Sequence, residues 1–256
     1  MNTEKVPLIK VKELQVEFEG HKVFSDLSFE ILEADFICVV GANGAGKSTL
    51  IKIISGVYAP TSGSVLLDGK ACRFHNPRQA LDRGIVVIHQ ELSIANDLTV
   101  AENIYLGCEP RIQNGFFLDR KKMEADAQAI LDFMEVDIRS TAVARHLTAA
   151  QQQMVEIAKV ISKNAQVVIM DEPTSSLSEH EINALFKQIR ILQKNNIAII
   201  YITHRLKELF EIADRVTVLR DGCKVNTFSM KDVDEKTLVT SMVGREMKDY
   251  YNRQKH

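Results

Sequence analysis

Long apolar runs are missing from this 256-residue chain. The longest, such as "FICVV" and "AIIYI", fall far short of the ~20 residues that a bilayer-spanning helix needs. Any tie to a membrane is therefore expected to run through another protein. The opening "MNTEKVPLIKVKEL" has no uninterrupted apolar h-region, so no signal peptide is expected. Cysteine is scarce too. Cys38, Cys72, Cys108 and Cys223 are scattered, without a CxxC pair or metal-ligand spacing, and read as reduced structural thiols of a cytosolic protein. A formal net charge of −2 argues against the broad cationic footprint of a nucleic-acid binder. Long heptad inserts, basic arms and low-complexity tracts are absent as well. What remains is an ordinary globular composition, 45% apolar and 26% charged. It can bury a substantial core as one large domain, or as one domain with a sizeable insertion.

The first ~30 residues alternate apolar and polar, "VKELQVEF" then "KVFSDLSFEI", joined at Glu19-Gly20. That spacing predicts a hairpin with one face buried. A second hairpin is expected at "SVLLDGKACRF", turning on Asp68-Gly69. Between them "FICVV" suits a strand covered on both faces, and "KSTLIKIIS" a helix stopped by Gly56. Strands are expected again at "IVVIH", "VVIMD", "AIIYIT" and "RVTVLR", with helical patterns at 121–135, 151–162 and 179–194. Alternating strands and helices imply a parallel α/β sheet. Residues 91–162 have helical period and no good strand, which suggests an inserted helical subdomain. The tail carries a small helix at "DEKTLVTSMV".

"GANGAGKST" (41–49) fits G-x-x-x-x-G-K-[ST] and lies between a strand and a helix. In such a loop glycines let backbone N–H groups curl around phosphates, and the positive end of the following helix adds to the attraction. Gly41, Asn43, Gly44, Ala45, Gly46, Lys47, Ser48 and Thr49 are thus candidate nucleotide contacts. Lys47 would reach the β- and γ-phosphates and Ser48 would offer its hydroxyl to Mg²⁺. "VVIMDEP" is a buried strand ending in two carboxylates. Beside a phosphate loop, Asp171 can join the Mg²⁺ shell and Glu172 can act as general base on an attacking water. On its own the same tripeptide would be merely a solvated turn. Gln90 and His204 also end strands, where ligands of open α/β sheets bind. Gln90 could sense Mg²⁺ and the water, and His204 could hydrogen-bond the γ-phosphate; taken singly, each reads more readily as a surface polar residue at a strand terminus. His21, His75, His89 and His180 have no such company and read as surface or structural.

Taken in order, the phosphate loop, the strand-end Gln90, "LTAAQ" before a helix, "MDEP", "SSLS" and the strand-end His204 resemble the ATP-binding subunit of ABC transporters over essentially the whole chain. Closer still, "HQELSIANDLTVAENIYLG", "QQQMVEIAKV" and "MVGRE" resemble the ribose/galactose class of monosaccharide importers, commonly tandem proteins about twice this length. The chain is similar to the first half of such a protein, or to a rarer single-half form.

The resemblance implies an α/β fold of the P-loop NTPase, ABC nucleotide-binding type, with an N-terminal antiparallel β subdomain and an inserted helical subdomain. One domain over 1–256 is expected: an ATP-binding core at 1–90 and 163–225, a helical signature subdomain at 91–162, and a C-terminal helix and tail at 226–256. It implies ATP and Mg²⁺ as cofactors, with metal contacts from Ser48, Gln90 and Asp171. It also implies a second ATPase half, fused or separate, transmembrane permease subunits, and a periplasmic or extracellular sugar-binding protein reached indirectly, with no nucleic acid. The expected location is peripheral, on the cytoplasmic face of the cell membrane. The alternatives are a regulatory nucleotide-binding module with little turnover and a soluble ABC ATPase outside transport.

Residue by residue, Phe18 matches the adenine-stacking aromatic, a contact typically worth ~1–3 kcal/mol; otherwise it packs the hairpin. Ser175 to Ser178 match the loop that crosses a dimer interface, with Ser178 departing from a frequent Asp. Leu147 to Gln151 match the signature that contacts the γ-phosphate of the opposite subunit. Thr148 keeps a hydroxyl there, while Ala149 and Ala150 stand where glycines are usual. With helical φ, alanine is tolerated and favours the helix. With positive φ, each alanine costs ~1 kcal/mol or more and Cβ crowds the phosphate. The resulting expectation is a complete site of the chain's own beside a weakened signature offered to its neighbour.

Overall fold

The computed structural model describes residues 7–18, 20–90, 93–112 and 115–244; the side chain of Phe18 lies outside the described set, as does Glu19. The chain opens with β1 (Ile9–Phe18), β2 (His21–Ile31) and β3 (Phe36–Val40), and continues through α1 (Lys47–Ile54), β4 (Ser62–Leu67), β5 (Lys70–Cys72), α2 (Pro77–Asp82) and β6 (Ile85–Ile88). Then come α3 (Val100–Ile104), β7 (Arg111–Ile112), β8 (Phe117–Leu118), α4 (Arg120–Phe133) and α5 (Ala149–Ser162). The remainder alternates: β9 (Val167–Asp171), α6 (Glu179–Lys194), β10 (Ala198–Ile202), α7 (Leu206–Ile212), β11 (Arg215–Arg220), β12 (Cys223–Ser229) and α8 (Glu235–Val243).

Two sheets organise these elements. An antiparallel sheet runs β2-β1-β4-β5, and its second turn places Asp68 and Gly69 both at positive φ. That is the turn chemistry expected of an Asp-Gly hairpin. The larger sheet runs β12-β11-β3-β10-β9-β6 and is parallel throughout except at the β12 edge.

All five residues of β3 are buried. Phe36, Cys38 and Val40 join a core shared with α5 and α6, while Ile37 and Val39 join a second core with α1 and the antiparallel sheet. The strand alternates between two interiors rather than between interior and water, which is why its sequence is apolar without a break. Each large side chain so buried contributes roughly 1.5–3 kcal/mol. Because β3, β10, β9 and β6 run in one direction, their carboxyl ends share one edge of the sheet, and the site forms there.

Three local elements differ from expectation. Residues 226–229, assigned by the sequence pattern to a terminal helix and tail, belong to the edge strand β12. An edge strand needs no continuous apolar face, and β12 is largely exposed, so it carries no strand periodicity. Within 91–162 a two-residue hairpin, β7 with β8, interrupts the helical stretch. Helix α7, only seven residues long, is too short to announce itself by period.

Candidate functional site

The loop after β3 closes on α1. Gly46 sits at φ +100, buried, and a Cβ there would lie 2.4 Å from Cε1 of Phe24, itself buried on β2. A Cβ at Gly41 would lie 2.3 Å from the carbonyl oxygen of Leu219 on β11. These glycines are therefore required by the protein's own walls as well as by anything the loop wraps. The loop is clasped between β2 and β11, and the Ser25 N–H donates to the Gly222 carbonyl 3.4 Å away across the same seam. Asn43 and Gly44 are exposed at the loop's crest and Ala45 is buried beneath it.

No side chain caps α1, whose first turn holds Lys47, Ser48 and Thr49; the first intrahelical amide bond runs from Leu50 to the carbonyl of Gly46. First-turn amides and the helix dipole therefore face the mouth, an arrangement suited to an anion. The Lys47 ammonium donates to the carbonyls of Gly41 at 2.9 Å and Ala42 at 3.1 Å. With three donors, it keeps one to offer a ligand. Ser48 is exposed in the same turn.

Opposite stands the end of β9. Burial pushes the Asp171 carboxyl above the usual carboxylate range, and neighbouring Glu172 pushes it further; His89, Lys47 and Lys52 pull it back. Burial lowers Lys47, with Glu172 and Asp171 opposing that shift. Glu172 lies in the left-handed region at φ +47, and its Oε1 is 3.2 Å from Nδ1 of His204 at the end of β10. Lys47, Asp171, Glu172 and His204 are thus brought together from two strand ends and a helix start. Gln90 is exposed two residues past the end of β6, whose last pair with β9 is Ile88 with Met170. His89, read from the sequence as surface or structural, is exposed, and it also acts electrostatically on Asp171.

Helix α5 starts differently. Thr148 is its N-cap, accepting from the Gln151 N–H at 3.2 Å, while the Gln151 side chain accepts from the Thr148 N–H at 3.0 Å. This is a reciprocal capping box. Ala149 and Ala150 occupy the first helical positions, and neither has positive φ. Of the two conditions set by the sequence, the helical one holds, so neither alanine is strained. Among the described residues no hydrogen bond or ion pair links this start to the phosphate loop of the same chain. Ser178 also finds a local role, its N–H and hydroxyl both donating to Glu181 at the start of α6. Farther along α5, the buried Lys159 ammonium bonds Glu156 and the Ser93 carbonyl, each at 2.9 Å, tying this helix to the segment after Gln90.

One group escaped the sequence pattern. Glu208 of α7 is buried and accepts hydrogen bonds from Thr174, Tyr201 and Thr203 directly behind the mouth. The signal was present: Glu208 falls on the same helical face as Leu209 and Ile212, where a glutamate buried among apolar neighbours requires partners.

The sequence model for ABC transporters matches residues 24–175, more than half of the chain. A protein of Agrobacterium fabrum named "Putative ribose/galactose/methyl galactoside import ATP-binding protein 1" is 48% identical over 97% of this chain and 49% of its own length. The "Ribose import ATP-binding protein RbsA" of Bacillus licheniformis is 44% identical over 95% of this chain and 49% of its own. The chain spans about half the length of the curated relatives it matches. A solved ATP-binding cassette of an ABC transporter, in its ADP conformation, shares the fold with a TM-score of 0.80 at 23% identity, covering 96% of this chain and 98% of that one.

Proposed function

The chain belongs to the ABC transporter family, and from that premise we propose that it binds and hydrolyses ATP to power import of a monosaccharide through a membrane permease. The observation that carries this reading is the mouth itself: an uncapped helix start and the Lys47 ammonium on one side, Asp171, Glu172 and His204 on the other. Lys47 and the first-turn amides hold the terminal phosphates of ATP. Glu172 takes the proton of the attacking water, and His204, within reach of Glu172, donates to the γ-phosphate.

Ser48, Asp171 and Gln90 are hard oxygen donors of the kind that hold Mg²⁺. The burial that raises Asp171 is a disadvantage that a bound cation offsets. When bound, Mg²⁺ neutralises charge on the phosphates. Every other part belongs to the chain, including Phe18 as the base platform, which lies outside the described side chains.

Residues 1–90 and 163–225 serve as the ATP-binding core and 91–162 as the subdomain that reads the partner. Thr148, Ala149, Ala150 and Gln151 face the nucleotide of a second ATPase half, fused or separate; among the described residues, the polar groups of Thr148 and Gln151 bond each other rather than the phosphate loop of their own chain. The helical subdomain, with the loop that carries Gln90, supplies the seat for the permease. The Lys159 tether joins the signature helix to the segment after Gln90, a route by which nucleotide state reaches that seat. The sugar-binding protein is engaged only through the permease, and the location is the cytoplasmic face of the membrane.

Two variants test the reading. Lys47→Ala is expected to weaken Mg·ATP uptake at least tenfold in a titration of the full chain. Glu172→Gln, assembled with permease, is expected to retain ATP and lose turnover by about 10²–10⁴-fold. Unchanged uptake in the first, or unchanged hydrolysis in the second, removes the assignment.

A further inference from the structure

The parallel ladder between β9 and β10 ends at the pair Asp171 and Ile202. Glu172 and His204 lie beyond it, where sheet hydrogen bonding no longer sets their spacing. One backbone bond remains, from the Glu172 N–H to the Ile202 carbonyl at 2.9 Å. Glu172 also holds φ +47, a conformation that a residue with a side chain keeps only when its surroundings impose it. Something past the ladder must fix both turns.

We propose that Glu208 is that device: a positioning residue, rather than a catalytic one, that sets the separation of Glu172 and His204 from behind the mouth. Its Oε1 accepts from the Thr174 hydroxyl at 2.7 Å, two residues after Glu172. Its Oε2 accepts from the Thr203 hydroxyl at 2.9 Å, one residue before His204, and from Tyr201 at 2.9 Å on the strand between. One carboxylate thus holds the chain on both sides of the gap that the two functional side chains span. An ionised carboxylate only accepts, so three hydroxyl donors converging on it form a matched set, and charge-assisted bonds of this kind are the stronger ones. Thr174, Tyr201, Thr203 and Glu208 are all buried, so water does not substitute for a lost partner. Tyr201 is itself wedged between Phe36 and Phe186, which anchors the clamp to the core. The Arg205 guanidinium, 3.5 Å from Oε1, completes the carboxylate's surroundings from the solvent side.

This inference rests on the hydrolytic reading above, and its test separates the two. In the full chain assembled with its permease, Glu208→Gln keeps the side chain's shape and loses its charge. The expected result is a fall in kcat of tenfold or more, with KM and Mg·ATP affinity within threefold of wild type, because the phosphate loop is untouched. Introduced into Glu172→Gln, the same change is expected to reduce residual hydrolysis no further. Should Glu208→Gln fold poorly, Thr203→Val removes one tether and leaves Glu208 in place, and it is read by the same kcat-against-KM split. An unchanged kcat, a parallel loss of affinity, or full additivity with Glu172→Gln overturns the proposal. Wild-type chain that takes up no Mg·ATP overturns the hydrolytic reading and this one together; normal wild-type turnover beside an unaffected Glu208→Gln overturns this one alone.

Discussion

Helix α1 begins at Gly46, buried, at φ +100 and capped by no side chain, whereas α5 begins at Thr148, where hydroxyl and Gln151 satisfy each other's backbone partners. The first start leaves its amides for something outside the fold. The second is finished from its own sequence. The same division appears in the charged groups: the α1 mouth holds an Asp171 raised by burial and a Lys47 lowered by it, while the start of α5 contains no ionised side chain at all. The proposed grip of α1 on phosphates would use the backbone groups its start leaves open, whereas α5, proposed to be presented to a second half, needs no such opening.

The sharpest way to break this contrast is Gly46→Ala. The new methyl meets the Phe24 ring and the residue must hold positive φ, which together are expected to cost about 2–5 kcal/mol. Thermal unfolding should show a fall of several degrees and a titration the loss of Mg·ATP uptake. A variant that folds and binds normally would mean that the loop has no such walls.

At the other start, Ala149→Gly with Ala150→Gly should lower stability by about 0.5–1 kcal/mol per position, since both are helical. Denaturant unfolding measures this, and uptake of Mg·ATP by the chain's own loop should not move. A gain in stability would show that these positions do not hold helical φ.

The smallest expected effect is Asp171→Asn in ligand-free protein. Folding raises the Asp171 pKa above its ordinary 3.8, so its contribution is complete below 3.8 and is lost as pH climbs through the raised value. The neutral amide should therefore unfold at a higher temperature than wild type at pH 7, and that advantage should shrink toward nothing as pH falls to 3.8. A lower melting temperature at pH 7 would contradict a mouth strained by its own charge.

Much of this was legible in the sequence because the signals are local. The phosphate loop is nine consecutive residues, and "FICVV" and "VVIM" are unbroken apolar runs. The cap that Thr148 and Gln151 make for α5 was not read from the sequence, where both stood only as signature residues. What else escaped depends on partners distant along the chain. Thr174 and Glu208 are 34 positions apart and meet only once β9 and β10 lie side by side. His89 acquires its influence on Asp171 from the register of β6 against β9, and β12 is a strand because β11 offers it an edge. Whether alanine is tolerated at 149 and 150 was a question of φ, which composition does not settle and the backbone does.

The close approach of Gly41 to Leu219, and the bond from Ser25 to Gly222, carry a consequence for how this protein is made. The phosphate loop is written by residue 49, yet its floor arrives some 170 residues later, when the β11–β12 turn emerges and docks. A growing chain, extended at roughly 5–20 residues per second, therefore spends on the order of ten seconds with the motif in hand and the pocket unfinished. The walls that Leu219 and Gly222 supply to the loop are in place only after the β11–β12 turn has emerged and docked.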